Sequence, residues 1–391
     1  MKKWTDLATV CLFLSLLCGL ALAFWIIPDA SFSEQEKRAL QTTPILRTST
    51  LFSGEYATEV NDYFADQFPM RDLFVGCKGW FEFLQGKGGN NGILVGKNQQ
   101  MARRLFDMRR ADPSVSAETD VADPAVLQSA ADALLRVEQS LEIPFTAMIT
   151  PRPIDVAADA FSYPADQSKA LFDRFYDLTA KLSSNVRLLP SLENRYRNGE
   201  YVYYRTDHHW TVRGAYYAYE ALLCEWGMAD AILPIEDFEK EVASTDFYGS
   251  LWAAGGMKWI EPDQLELWYY GNEDLFEVCA DGHLVDGFYD RTRLATKDQY
   301  SVYLYGTHDV VTVTKKGEVD RPTLVLFKDS FANSLAPFLA QHFDLVLLNL
   351  SSTRRDFTDV CTYARQYGAD RVLLIYTMEN LITADRLGSV H

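Results

Sequence analysis

The sequence predicts an α/β fold with a parallel sheet, a β-rich insertion and an apolar N-terminal helix. Three observations carry this expectation. Residues 323–376 alternate apolar runs with helical spacing: TLVLF at 323–327, a helix at 332–342, LVLLNL at 345–350, a helix at 356–367 and VLLIY at 372–376. Strand-helix-strand-helix-strand at that spacing implies parallel strands joined by right-handed crossovers. A similar but looser alternation fills residues 126–226. Between them, residues 234–321 carry short aromatic, β-rich runs separated by Gly and Asp turn signals.

The first element is the apolar run from about residue 7 to 27, preceded by Lys2 and Lys3. About 20 apolar residues suffice to span a bilayer as a helix. Lysines on its N-terminal side should stay in the cytoplasm, which directs everything after the run outside. Ala21-Leu22-Ala23 has the small-x-small form of a signal-peptidase site. Phe24-Trp25-Ile26-Ile27 continues the apolar run past that site, which favours an uncleaved anchor.

Residues 28–125 form an entry segment expected to pack on the core. Ser33 and Glu36 fit a helix start, and residues 61–70 fit a helix ending near Pro69. The run GGNNG at 88–92 marks a turn before a short strand at 93–95, and residues 111–123 are polar enough for a loop. The first part of the core, 126–233, contains a helix at 126–140, a strand at 145–150 (FTAMIT), a helix at 166–183, strands at 186–189 and 201–204, and a helix at 212–226 capped by Thr211. In the insertion, LELWYY (265–270), FEVCA (276–280), SVYLYG (301–306) and VVTVT (310–314) read as strands. Residues 322–391 complete the core, with Gly368 suited to end its last long helix.

Composition narrows the function. A net charge of −17 repels a phosphate backbone and argues against nucleic acid as partner. The six cysteines show no C-x-x-C and no ligand-like spacing to histidine, which disfavours a structural metal site; one or two disulfides stay open. No cofactor is expected.

Two stretches can carry chemistry. Thr206-Asp207-His208-His209-Trp210-Thr211 lies between a strand and a helix, where open α/β sheets place functional loops. In extended chain, side chains i and i+2 share a face. Asp207 can then orient His209 as a general base while His208 points away; the other register makes His208 the base. The second stretch is Lys328-Asp329-Ser330-Phe331, directly after TLVLF and at the start of a helix. A serine there stands at the carboxyl end of a parallel strand, with amides at a helix N-terminus to stabilise negative charge. Alone, that pattern also fits an ordinary helix cap. Arg354 and Arg355 follow LVLLNL at the same edge and could bind an anionic group. His208, Trp210 and Asn333 are further candidates for substrate contact, and Asn333 and Asn349 for the oxyanion.

Together, D-H-H-W and, about 120 residues later, a strand followed by K-D-S-F resemble the DHHW family of bacterial envelope proteins, similar to the alginate O-acetyltransferases and to SGNH-like hydrolases. Softer matches are Phe32-Ser33-Glu34 through Arg38, Asp66-Gln67-Phe68-Pro69 with Arg71, and Asn91-Gly92 with Gly96-Lys97. The resemblance implies an SGNH-hydrolase-like three-layer sandwich and a triad of Ser330, His209 and Asp207, permuted relative to ordinary SGNH enzymes. It departs from them in lacking a clear equivalent of their separate Gly and Asn blocks, so the Ser330 N–H is the safest oxyanion donor. The implied activity is O-acetyl transfer to an envelope polysaccharide through an acyl-enzyme, with a membrane-bound acyl exporter as partner. An esterase with the same triad, or a non-catalytic glycan-binding or assembly protein, are the competing expectations.

Overall fold

The computed structural model describes residues 2–33, 38–103, 124–161, 166–383 and 386–391. It divides into two compact units. The first comprises residues 1–91 with 253–258, the second residues 92–252 with 259–391.

The first unit opens with α1, Lys2–Ile26. Residues 4–26 of it have a mean hydropathy of 2.5 over their most apolar window, so this helix is long and apolar enough to cross a membrane. Instead of starting a helix, Ser33 lies in a two-residue strand, Phe32–Ser33, paired with Arg38–Ala39; Glu36 falls outside the described residues. Helix α2, Glu55–Asp66, stops three residues before Pro69, consistent with proline's restriction on the residue preceding it. Helix α3, Arg71–Leu84, follows. The expected turn at 88–92 is present, with Gly88, Asn91 and Gly92 all at positive φ. The expected loop at 111–123 lies outside the described residues.

The second unit is organised by one seven-stranded sheet. Its strands are β1 (Phe145–Thr150), β2 (Phe276–Ala280), β3 (His283–Val285), β4 (Val310–Lys315), β5 (Thr323–Lys328), β6 (Asp344–Asn349) and β7 (Arg371–Thr377). The spatial order is β3-β2-β4-β6-β5-β7-β1. Strands β6, β5, β7 and β1 run parallel, while β4 pairs antiparallel with β6, β2 with β4, and β3 with β2. The sheet is therefore mixed, not parallel as expected. Much of the region read as a β-rich insertion extends the main sheet; only Asp263–Tyr269 and Glu239–Phe247 form a separate two-stranded ribbon.

The central strands β5 and β7 are buried from their second residue onward, which matches their unbroken apolar sequence. Described helices in this unit include α4 (Pro124–Ser140), α5 (Val212–Glu225), α6 (Ala332–Leu339), α7 (Val360–Gln366) and α8 (Met378–Thr383). The helix expected at 166–183 spans Asp166–Leu178. Thr211 caps α5 as expected, its hydroxyl accepting the Gly214 N–H.

Three expected strands do not form. At 186–189, Pro190 sits in the first turn of a helix, Leu189–Arg197, and the preceding chain makes one bridge, Asn185 to Ala147. At 201–204 only Tyr203 bridges, to Trp210, because the chain turns back on itself between them. At 301–306, Leu304 and Tyr305 take positive φ, which ends any extended run. All six cysteines are free thiols.

Candidate functional site

The carboxyl ends of the parallel strands define one edge, and β5 delivers Ser330 to it. Lys328 and Asp329 close the strand and are both buried. The Asp329 carboxylate accepts the Phe331 N–H (3.2 Å), the Thr377 N–H (2.7 Å) and an Asn380 Nδ2–H (2.9 Å). It therefore ties the turn after β5 to the turn after β7. Burial pushes this carboxyl above the ordinary range, and the donors from Thr377, Phe331 and Asn380 oppose that shift. Lys328 Nζ donates to Asn333 Oδ1 at 2.7 Å, and Asn333 Nδ2 donates to the Gly306 carbonyl at 2.9 Å. Burial lowers the Lys328 amine to about 8, partly offset by Asp329 and Asp281.

The opposing half comes from the turn between Tyr203 and Trp210. The Thr206 N–H and hydroxyl both donate to Asp263 Oδ2, at 2.8 and 2.6 Å. Arg205 N–H and Nε–H donate to Asp263 Oδ1, at 3.1 and 3.2 Å. Asp263 is itself 1% exposed, so one buried carboxylate holds the start of the turn. Asp207 follows. Its Oδ1 accepts the His209 backbone N–H at 3.0 Å and lies 2.6 Å from His209 Nδ1. Its Oδ2 accepts the Ser250 N–H at 2.6 Å. Gly249 packs directly on Asp207: a Cβ there would come within 2.2 Å of the Asp207 Cβ.

His209 Nε2 lies 2.7 Å from Ser330 Oγ, so its imidazole bridges Asp207 and Ser330. The ring is sandwiched as well. Tyr300 stacks on it at 3.7 Å with planes 7° apart, and Phe331 lies 4.9 Å away. The Tyr300 hydroxyl and the Trp210 indole N–H both meet Ser334 Oγ, at 3.3 and 2.9 Å. With Nδ1 facing a carboxylate, the tautomer that protonates Nδ1 leaves the Nε2 lone pair aimed at the serine. That arrangement can take a proton from Ser330 Oγ and return it.

His208 does not point away. A tight turn replaces the extended chain that the i, i+2 argument assumed, and the His208 ring sits 3.8 Å from that of His209. Its Nδ1 lies 2.7 Å from Ser250 Oγ, not on Ser330. Desolvation in the pocket and the neighbouring His209 lower it to about 4, so it is neutral at physiological pH. Asp207, His208 and His209 offer ligand atoms within 4.8 Å of one another. A metal ion held there would have to displace the contacts that these groups already make with Ser330 and Ser250.

A pocket opens over Ser330, lined by His208, Phe331, Arg152, Thr377, Glu379 and Asn380 among others. Arg152 forms a buried two-pronged pair with Asp155, at 2.9 and 2.7 Å, and Glu379 pairs with Arg103 at 3.0 Å. None of Arg152, Thr377, Glu379 and Asn380 was picked out from the sequence, although Thr377 ends β7 and the other three follow β1 or β7 at the edge that carries Ser330. That position was the available signal.

Other candidates move out of the site. Trp210 is fully buried and bonds Ser334. Asn333 is 2% exposed, with both amide atoms engaged by Lys328 and Gly306. Asn349 turns its Oδ1 to the Ser351 N–H. Arg354 pairs with Asp309 (3.0 Å) and Asp281 (3.4 Å), and Arg355 is exposed; neither lines the pocket over Ser330. For Trp210, Asn333, Asn349 and Arg354 a partner within the fold engages the group that sequence position alone had offered to substrate.

Comparison with known proteins places the chain among related sequences and folds. The chain is 25% identical over 200 residues to the probable alginate O-acetylase AlgJ of Azotobacter vinelandii, covering 50% of this chain and 47% of that protein. It is 26% identical over 176 residues to the protein of the same name from Pseudomonas syringae pv. tomato, covering 44% and 43%. The chain thus matches about half the length of these curated relatives. Among solved structures, a DHHW family protein from Eubacterium siraeum superposes with a TM-score of 0.57 at 18% identity, over 77% of this chain and 95% of that one. Bacillus cereus PatB1, solved with a sulfonyl adduct, gives 0.60 at 18% identity, over 76% and 98%. These two establish a shared fold. The profile described as DHHW protein matches residues 131–349, more than half of the chain and including the whole Thr206–Thr211 turn and Ser330, and the chain belongs to the DHHW family.

Proposed function

We propose that this chain is an O-acetyltransferase of a cell-envelope polysaccharide, with Ser330 as nucleophile, His209 as general base and Asp207 as the residue that orients it. The observation that carries this reading is the His209 imidazole bridging Asp207 at 2.6 Å and Ser330 at 2.7 Å. The names of the AlgJ relatives support acetyl transfer to a polysaccharide. The strand order around β5 and the position of Ser330 after it fit an SGNH-hydrolase-like three-layer arrangement.

In this mechanism Ser330 Oγ attacks the acetyl carbonyl of a donor while its proton passes to His209 Nε2. The oxyanion forms beside the Ser330 N–H, ahead of helix α6. Collapse expels the donor, which leaves with the proton from Nε2 and gives an acetyl-serine. A sugar hydroxyl then attacks, its proton moves to Nε2 and onward to Ser330 Oγ, and the acetylated sugar departs. Asp207 orients the neutral imidazole and stabilises the imidazolium each time Nε2 holds the proton. Tyr300 and Phe331 fix the ring's plane, which shortens the search for an attacking geometry.

Helix α1 serves as an uncleaved anchor, the catalytic unit lies outside the cytoplasm, and the acetyl group arrives through a membrane-bound acyl exporter. The full chain, reconstituted in nanodiscs, should be acetylated on Ser330 by a chromogenic acetyl ester and should pass the group to an added oligosaccharide. Acetate release at a rate indifferent to acceptor would reassign the protein as an esterase. A folded chain that never acquires acetyl on Ser330 would remove the enzyme reading altogether.

A further inference from the structure

Helix α3 inverts the usual arrangement of a surface helix. Its buried positions are Gly76 and Gly79. A Cβ at Gly76 would lie 3.3 Å from the Lys258 side chain, and one at Gly79 3.4 Å from the Gly256 carbonyl. The small-residue face thus packs on segment 253–258 of the same unit. The large apolar residues Leu73, Phe74, Trp80, Phe81 and Leu84 are exposed. At 3.6 residues per turn they form one stripe together with Cys77, and Arg71, Lys78 and Glu82 lie on another face. A large apolar patch bounded by polar residues marks an interaction surface.

The same unit indicates what covers it. At the end of α1, Phe24 stacks on Phe64 of α2, with centroids 5.1 Å apart, and meets Tyr63 at 5.7 Å. After α2, Phe68 packs on Phe74 of α3 at 5.6 Å. Aromatic contacts therefore stand both at the end of the apolar helix, on α2, and at the start of the exposed stripe, four residues after Phe64 in the chain. Phe52, Phe64 and Met70, also exposed, extend the apolar surface around it.

We infer that α3 lies along the outer interface of the membrane that α1 spans, with its stripe seated at the boundary between headgroups and acyl chains. An amphipathic helix of this kind rests in the interface plane instead of crossing it. The occupant of the stripe is the bilayer itself. The charges of α3 balance, Arg71 and Lys78 against Asp72 and Glu82, so apolar insertion and not attraction to anionic lipid holds it. This inference rests on the anchor reading of α1.

The test uses the full chain in nanodiscs of zwitterionic phosphatidylcholine doped with a lipid carrying a photoactivatable diazirine just below the headgroup. After irradiation, digestion and mass spectrometry should locate adducts both in α1 and on the Leu73, Phe74, Phe81 and Leu84 face of α3. The double variant Phe81→Glu, Leu84→Glu should keep the α1 adducts and the wild-type circular dichroism but lose most of those on α3. Wild-type adducts confined to α1 would overturn the inference while leaving the anchor intact. Adducts nowhere would remove both. In cells, a photoreactive phenylalanine at position 81 that cross-links to a membrane protein instead of lipid would assign the stripe to that partner and equally overturn the proposal.

Discussion

Ser330 and His209 meet 2.7 Å apart, yet the chain delivers them by different means. Ser330 stands on the most regular part of the molecule. It follows a buried strand flanked by two parallel neighbours, and Asp329 and Lys328 at the strand's end bond to the end of β7 and to α6. His209 stands in a turn with almost no regular hydrogen bonding of its own. Its support comes from Asp263 and from the Gly249–Ser250 corner, 43 to 57 residues further along the chain. Ser330 is thus placed mainly by the sheet and His209 by a few buried polar contacts. Rigid elements hold functional groups more precisely than loops do, so on the proposed mechanism the His209 side should be the sensitive one.

Removing the chemistry gives the largest effect and sets the scale. Ser330→Ala and His209→Ala should each lower acetyl turnover on the order of 10⁴-fold, and the double variant should be no worse than either, because the pair acts as one unit. Turnover measured beside the melting temperature checks this; an active Ser330→Ala would refute the nucleophile assignment.

Gly249→Ala probes the base side without touching a reacting atom. Its methyl needs the space that Asp207 fills, and displacing the carboxylate by about 1 Å should cost on the order of 10²-fold in kcat. An Ala substitution at Ser351, an exposed residue just after β6, should change little. Equal losses in the two variants would break the contrast between the halves.

Asp263→Asn comes next. The amide cannot accept all the donors that the carboxylate accepts from Thr206 and Arg205, so stability should fall by about 2–4 kcal/mol. Activity measured well below the melting temperature should fall too. Lost stability with unchanged kcat would show that Asp263 supports the fold without aiming His209.

The smallest effect concerns pH. His208 is held near 4 in the folded chain against an ordinary value of 6.5. The unfolded chain therefore binds more protons through this window, and the contribution of His208 to stability rises with pH between about 4 and 6.5. His208→Gln should flatten the melting temperature across that interval relative to wild type. An unchanged slope would mean that the ring titrates normally at the pocket mouth.

The same division explains what could be read in the sequence. TLVLF and VLLIY announced two central strands because a strand buried on both faces must be apolar throughout. Ser330 followed from its place at the end of one. The D-H-H-W turn was legible as a motif, and Asp207 was rightly paired with His209, but alternation in an extended chain was the wrong reason. The turn exists because Asp263 and Ser250 hold it, and nothing local to residues 206–211 reveals those partners. His208 was misplaced for the same cause. Trp210 and Asn333 were offered to substrate because their pairing with Ser334, and with Lys328 and Gly306, is set by the packed fold and not by the motifs in which they stand. The run SVYLYG looked like a strand by composition, and its positive-φ pair at Leu304 and Tyr305 left no trace in apolar patterning.

The bond between His209 and Ser330 closes a loop of 121 residues. Closing so long a loop is entropically costly, and contacts this distant in sequence tend to be made late in folding. The polypeptide between the two residues includes the ribbon, the Gly249–Ser250 corner and strands β2 to β5, all of which must be in register before His209 and Ser330 can meet. On the proposed mechanism, acquisition of a reactive Ser330 is then a clock for the last stage of refolding: a reagent that traps only the activated hydroxyl would count completed molecules, while circular dichroism, sensitive to helices that close locally, would register the chain much earlier.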